Sequence, residues 1–157
     1  MSLRLHFASL SLGASVDQQT GALSVFDVLE EIRTPQLPIQ MQSLVLALSL
    51  EKTTRFGFNG KMVIHILTPD GNSQTVGNGD LNVAAEQKRM KAVFRFGGFP
   101  VTQAGPHRFV VAWLDGAGNK QGEAILDFDV FVVNEAGQPG GAPVGPAGGG
   151  ERPPTSH

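Results

Sequence analysis

The chain contains no cysteine. Disulfide staples, thiolate zinc sites and cysteine nucleophiles are therefore excluded. It has no tyrosine, and one tryptophan beside ten phenylalanines, so its aromatics supply packing volume more than polar tips. Charged residues make up only 17% of the sequence and the formal net charge is -2, which leaves no basic field to hold nucleic acid. No apolar run approaches the ~18 residues of a membrane helix, so no membrane span is expected. Arg4, His6 and the serines break up the apolar residues of Met1 to Leu12, so no signal peptide is read there. The expected location is cytoplasmic, with leaderless export as the alternative.

What is present points to strands. A chain of 157 residues suits one domain, and at that size folding buries about 68–70% of the unfolded surface. Twenty glycines and ten prolines with few charges suit an all-β, turn-rich domain. The organising stretch is Ala104 to Gly116. Gly105-Pro106 punctuates its entry, His107, Phe109, Val111 and Trp113 alternate onto one face, and Asp115-Gly116 is a hairpin signal.

Other segments repeat the pattern. Leu3, Leu5 and Phe7 alternate, then the apolar phase shifts to Leu10 and Leu12, as a β-bulge would produce. Ala22 to Ile32 is ambiguous. Val25, Val28, Leu29 and Ile32 fit a helical stripe, but Val25-Phe26-Asp27-Val28 follows a turn and is rich in strand formers. A strand is favoured, with room for a short helical turn at Glu30. Pro35 and Pro38 then mark a crossover.

Leu44, Leu46, Leu48 and Leu50 line one face of the next strand, with Val45, Ala47 and Ser49 on the other. Lys61 to Thr68 follows and ends at the Pro69-Asp70-Gly71-Asn72 turn. Ser73 to Ala85 reads as an edge strand broken at Gly77-Asn78-Gly79. Arg89 to Phe96 turns Met90, Ala92, Phe94 and Phe96 inward, and Gly97 to Gly105 reads as a loop. Ala124, Leu126, Phe128, Val130 and Val132 close the sheet.

The expected fold is a single antiparallel β-sandwich of about eight strands over residues 1–133. Residues 134–157 read as a disordered Gly/Pro-rich tail.

Two stretches carry a family resemblance. One is Gly21 to Ile32, followed by Pro38 and the Leu-rich strand; the other is Gly105 to Gly116. Together they resemble small uncharacterised bacterial β-sandwich proteins of unknown function, Ig-like in layout. His107 stands where that late-strand pattern usually has tyrosine. The resemblance implies the fold and supports a strand at Ala22–Ile32. It implies no catalytic or binding residue.

No catalytic, cofactor-binding or metal-binding residue is assigned. His6, His65 and His107 share no short ligand spacing and fall on different strands, with His107 expected at a sheet edge near a loop. Asp127 and Asp129 lie two apart on an outward strand face, where solubilising residues are the ordinary reading and acid–base chemistry the rarer one. Gly77-Asn78-Gly79 lacks the third glycine and the helix of a dinucleotide fingerprint. Lys88, Arg89, Lys91 and Arg95 read as a solvated strand face. No Gly-x-Ser-x-Gly motif occurs.

These features favour a non-enzymatic binding or structural module, such as an accessory subunit of a larger bacterial assembly, with no cofactor. The alternative is a small-molecule or carbohydrate-binding sandwich with its site on the end loops. The candidate interface follows from strand parity. With Phe109, Val111 and Trp113 inward, Val110 and Ala112 face out. With Leu126, Phe128 and Val130 inward, Ile125 and Phe131 face out beside Asp127 and Asp129. The partner expected is a protein, most simply a second copy in a dimer, unless Thr34 to Gln40 covers this face.

Overall fold

Period-two alternation builds nine strands and no helix among the residues that the computed structural model describes, 2–133. They are β1 (Leu3–Val16), β2 (Leu23–Val28), β3 (Glu31–Thr34), β4 (Ile39–Lys52), β5 (Phe58–Leu67), β6 (Ser73–Val83), β7 (Arg89–Val101), β8 (Gly105–Asp115) and β9 (Lys120–Val132). The strands form a four-stranded sheet, β2-β1-β4-β7, and a five-stranded sheet, β3-β9-β8-β5-β6. The tail expected at residues 134–157 lies outside the described residues.

The inward faces of both sheets share one core. Leu44, Leu46, Leu48 and Leu50 of β4 meet Met62, Ile64 and Ile66 of β5, Phe109, Val111 and Trp113 of β8, and Phe128 and Val130 of β9. Phe96 of β7 stacks on Phe109 of β8 across the gap, with ring centroids 6.0 Å apart. Burying each such side chain contributes about 1.5–3 kcal/mol.

Several expectations need correction. The strands number nine where about eight were expected, because Ala22–Ile32 divides between two sheets. β2 pairs with β1, then the chain bends at Leu29–Glu30 and β3 pairs with β9. No helical turn forms at Glu30. The β3–β9 pair is also parallel, because β3 arrives from the other sheet instead of through a hairpin.

β6 is an edge strand as expected, yet it is unbroken. Its ladder with β5 runs through Gly77-Asn78-Gly79, and the register shift falls at Ile64/His65 of β5. The glycines have a packing role: a Cβ on Gly77 or Gly79 would stand 3.8 Å from the Phe96 or Phe94 ring. Gly97 to Val101 is not a loop either. β4 residues Ile39 to Ser43 supply pairing partners that extend β7 to Val101.

The outer face of the four-stranded sheet has a cover that alternation alone does not show. Val45 and Ala47 point away from the main core, but both are fully buried. The β1–β2 arm lays Ala14, Leu23 and Val25 against them and Val93. Arg95 Nη2 donates to the Ala14 carbonyl at 2.7 Å, and Lys91 Nζ donates to the Gly21 carbonyl. β1 does carry a register shift against β4, but at Leu5/Phe7, ahead of the phase change expected between Phe7 and Leu10.

Candidate functional site

The outer face of the five-stranded sheet is ruled into cross-strand rows. His65, Val110 and Ile125 form one row, on β5, β8 and β9. Val63, Ala112 and Glu123 form the next, and Leu67, Arg108 and Asp127 lie on the other side. Directly opposed residues sit close enough for their side chains to touch. Val63, Val110, Ala112 and Ile125 therefore make one continuous apolar patch, in which Ile125 is 48% exposed.

Three of the four expected interface residues are brought together, and the fourth is not. Phe131 lies six residues beyond Ile125 on β9, a separation of about 20 Å along a strand. It pairs with Arg33 of β3, whose guanidinium lies 5.8 Å from the ring centroid. Asp127 and Asp129 alternate outward between Ile125 and Phe131 and divide the apolar surface. The Thr34–Gln40 segment leaves the patch open, since Leu37 and Ile39 pack against the core instead.

The patch has a charged rim. Arg108 donates to Asp127 through Nε at 2.7 Å and Nη2 at 3.0 Å. Those hydrogen bonds hold the Asp127 carboxyl below its ordinary pKa and raise that of Arg108. Both side chains are about half exposed, so the pair is screened by solvent and contributes little to stability. His65 Nδ1 and Thr75 Oγ1 share a 3.0 Å hydrogen bond beside Val110.

A second concavity lies at the open seam where β6 of one sheet meets β7 of the other. Its walls include Ile66, Val76, Phe96, Phe99, Gln74 and Arg95, and it encloses about 650 Å³. His107 lines it and also a groove on the far side, with Pro106, Arg108, Asp127 and Asp129. His107 is not at a sheet edge. It is 3% exposed, on a central strand, and its ring stacks on Phe128 at 4.8 Å. Its Nδ1 lies 3.0 Å from the Gly105 carbonyl. A carbonyl only accepts, so Nδ1 carries the hydrogen.

The basic stripe on β7 is occupied structurally. Lys91 and Arg95 hold the β1–β2 arm, and Lys88 Nζ stands 3.7 Å from Glu51. Among the described residues, no group of three or more His, Asp or Glu is placed to hold a metal ion.

A family model described as a family of unknown function, DUF6941, matches residues 7–121. No curated protein matches the sequence. Among solved structures, a β-glucosidase from Listeria innocua in complex with glucose is similar at a TM-score of 0.47 and 9% identity, over 79% of this chain and 16% of that one. An alkylpurine DNA glycosylase, AlkC, from Pseudomonas fluorescens bound to DNA containing an abasic site analog gives 0.45 and 12%, over 82% and 30%. The chain thus spans under a third of the length of either enzyme. At these scores no property of the enzymes passes to it.

Proposed function

The chain belongs to DUF6941, a family of unknown function, and from that premise we propose that it is a non-enzymatic β-sandwich module, Ig-like in layout, that acts by association. It pairs with a second copy or serves as an accessory subunit of a larger bacterial assembly in the cytoplasm. The observation that carries this reading is the solvent-facing row of Val110 and Ile125, widened by Val63 and Ala112. Soluble monomers seldom leave a contiguous apolar patch wet without a use for it.

The rim supports a two-fold pairing. Glu123, Asp127 and Asp129 run down β9 on one side of β8, while Lys61 and His65 lie on β5 on the other. A two-fold axis along β8 lays the acids of one copy over the basic groups of its partner. An axis across the strands would oppose acid with acid. Isologous interfaces require such self-complementarity.

Light scattering at high micromolar concentration tests the reading. The wild type is expected at dimer mass and Val110→Glu at monomer mass with its fold retained. A monomeric wild type would remove the dimer, and a folded Val110→Glu still at dimer mass would place the contact elsewhere.

A further inference from the structure

We propose that the seam cleft between β6 and β7 binds a small uncharged aromatic molecule with a hydrogen-bonding group on its rim. This inference is independent of the association through the sheet face. At about 650 Å³ the cleft is of ligand-binding size, since such sites run from about 300 to 1,000 Å³.

An aromatic array sets its walls. Phe96 meets Phe99 edge-on with ring centroids 6.1 Å apart, and Phe99 meets Phe109 at 5.7 Å. Phe109 stacks on Phe128 at 5.9 Å, and Phe128 stacks on His107 at 4.8 Å. Phe109 and Phe128 are buried behind the cleft and do not line it. Both ends of the array do, with Phe96 and Phe99 on one sheet and His107 on the other. The rings therefore curve around the cleft, and one more ring placed in it meets aromatic neighbours from both sheets. Such ring pairs gain affinity beyond the area they bury. Ile66 and Val76 add aliphatic wall.

No charge is placed there. No Asp or Glu lines the cleft. Arg95 borders it, but pairs with Val45 on the outer side of its sheet and donates there to the Ala14 carbonyl. The Nδ1–H of His107 is committed to the Gly105 carbonyl. An ion entering the cleft would lose water without gaining a partner, which favours a neutral ligand. The buried side-chain polar atoms without a partner among the described residues belong to Ser9, Ser49 and Trp113, none of which lines the cleft. Its inner wall thus makes no polar demand on a ligand.

The mouth is polar. Gln74 lies opposite Ile66, whose side chain packs in the core, so Gln74 takes the inward side of edge strand β6. Leu81 and Val83 hold the equivalent positions further along and are buried. Gln74 and Thr102 are exposed at the cleft, and among the described residues their side chains hold no hydrogen bond. Between them they offer a donor and an acceptor to the rim of a ligand.

The test is a ¹⁵N–¹H NMR titration with benzyl alcohol, its saturated counterpart cyclohexylmethanol and its anionic counterpart benzoate. Benzyl alcohol is expected to shift the amides of Val76, Gly97, Gly98 and Phe99. One aromatic pair changes affinity by roughly two- to twelvefold. Cyclohexylmethanol should bind weaker by at least that factor, and benzoate weaker by more than about tenfold. Phe96→Leu keeps an apolar wall and loses a ring, so it should weaken benzyl alcohol by the same factor and leave cyclohexylmethanol unchanged. If that variant fails to fold, Gln74→Trp, at an exposed edge position, decides: its bulk fills the cleft and should abolish the shifts. Asn82→Trp is the control, an exposed position on the same strand away from the cleft, and should bind as the wild type does. Absence of the shifts at about 10 mM benzyl alcohol, a ceiling that reports millimolar Kd values, would overturn the proposal. So would equal binding of cyclohexylmethanol or benzoate, unchanged binding to Gln74→Trp, or equal loss in Asn82→Trp.

Discussion

Trp113 lies across Gly122, its cross-strand partner on β9, so closely that a Cβ there would stand 2.4 Å from the indole Cζ2. The ring is buried, and its Nε1 finds no hydrogen-bond partner among the described residues. Its position is therefore fixed by packing and by the missing Cβ. Gly122→Ala should displace the indole and cost at least the ~1–3 kcal/mol typical of overpacking. Trp113→Ala should cost ~3–5 kcal/mol, as large core truncations do. Denaturant melts with tryptophan emission check both. An alanine variant of Gly122 with unchanged stability and unshifted emission would remove the contact.

The glycines under the phenylalanine rings predict a contrast. Gly77→Val should push Phe96 and Ile64 aside and cost ~1–3 kcal/mol, because Ile64 Cδ1 already stands 3.3 Å from the position of a Cβ. Gly97→Ala adds a methyl to open space. It should change stability by less than ~0.5 kcal/mol. Thermal melts of the two variants should separate clearly; equal melting temperatures would show that the seam is not packed by those rings.

Glu51 predicts the direction of acid sensitivity. Arg4 donates to its carboxylate through Nη2 at 2.9 Å and Nε at 3.2 Å. That hydrogen bond lowers its pKa against an opposing effect of burial, with Arg4, Arg89 and Lys88 adding attraction. Asp17, Asp70 and Asp127 are lowered as well, each mainly by a hydrogen bond to the charged form. A depressed folded-state pKa contributes stability above the unfolded value, and that stability is lost as pH falls through the folded value. Melting temperature should therefore hold level near neutrality and fall below about pH 4–5. Glu51→Gln should melt lower at pH 7 and lose less on acidification. Parallel curves for the two proteins would contradict the assignment.

The β1–β2 arm should open before the sheets do. β2 has one paired edge, and Phe26 and Val28 are more than half exposed. The Val45–Leu50 stretch of β4 is buried and paired on both sides. Native-state hydrogen exchange should find β2 amides at the low end of protection and those of β4 near the global unfolding free energy. Equal protection would mean that the arm and the sheets unfold as one unit.

Strand parity was readable from sequence wherever one face meets the core and the other meets water. β8 and the inward side of β4 show this, as do Val110, Ala112 and Ile125 facing out. Other features were not readable, each for a physical reason. Ala22–Ile32 serves two sheets, so neither period persists long enough to decide. Gly97-Gly98-Phe99-Pro100 looks like a loop because its order comes from a ladder with Ile39–Ser43. Val45 and Ala47 read as an outward face, and only the folded-back arm buries them. The cleft left no trace in spacing: its lining comes from four separate strands and the turns between them. Parity also set Phe131 beside Ile125 without measuring the distance along the strand.

The parallel ladder between β3 and β9 bears on how the chain is made. Glu31 lies opposite Asp129 and Thr34 opposite Val132, so most of the folded sequence separates the partners. On a ribosome β3 emerges early and has no mate until β9 follows. Ile32, which packs against the core, meanwhile stays in water. Non-local pairing of this kind slows folding. The nascent chain must therefore remain unaggregated for much of its synthesis, and a ribosome stalled before β9 would expose two unfinished sheet edges to its neighbours.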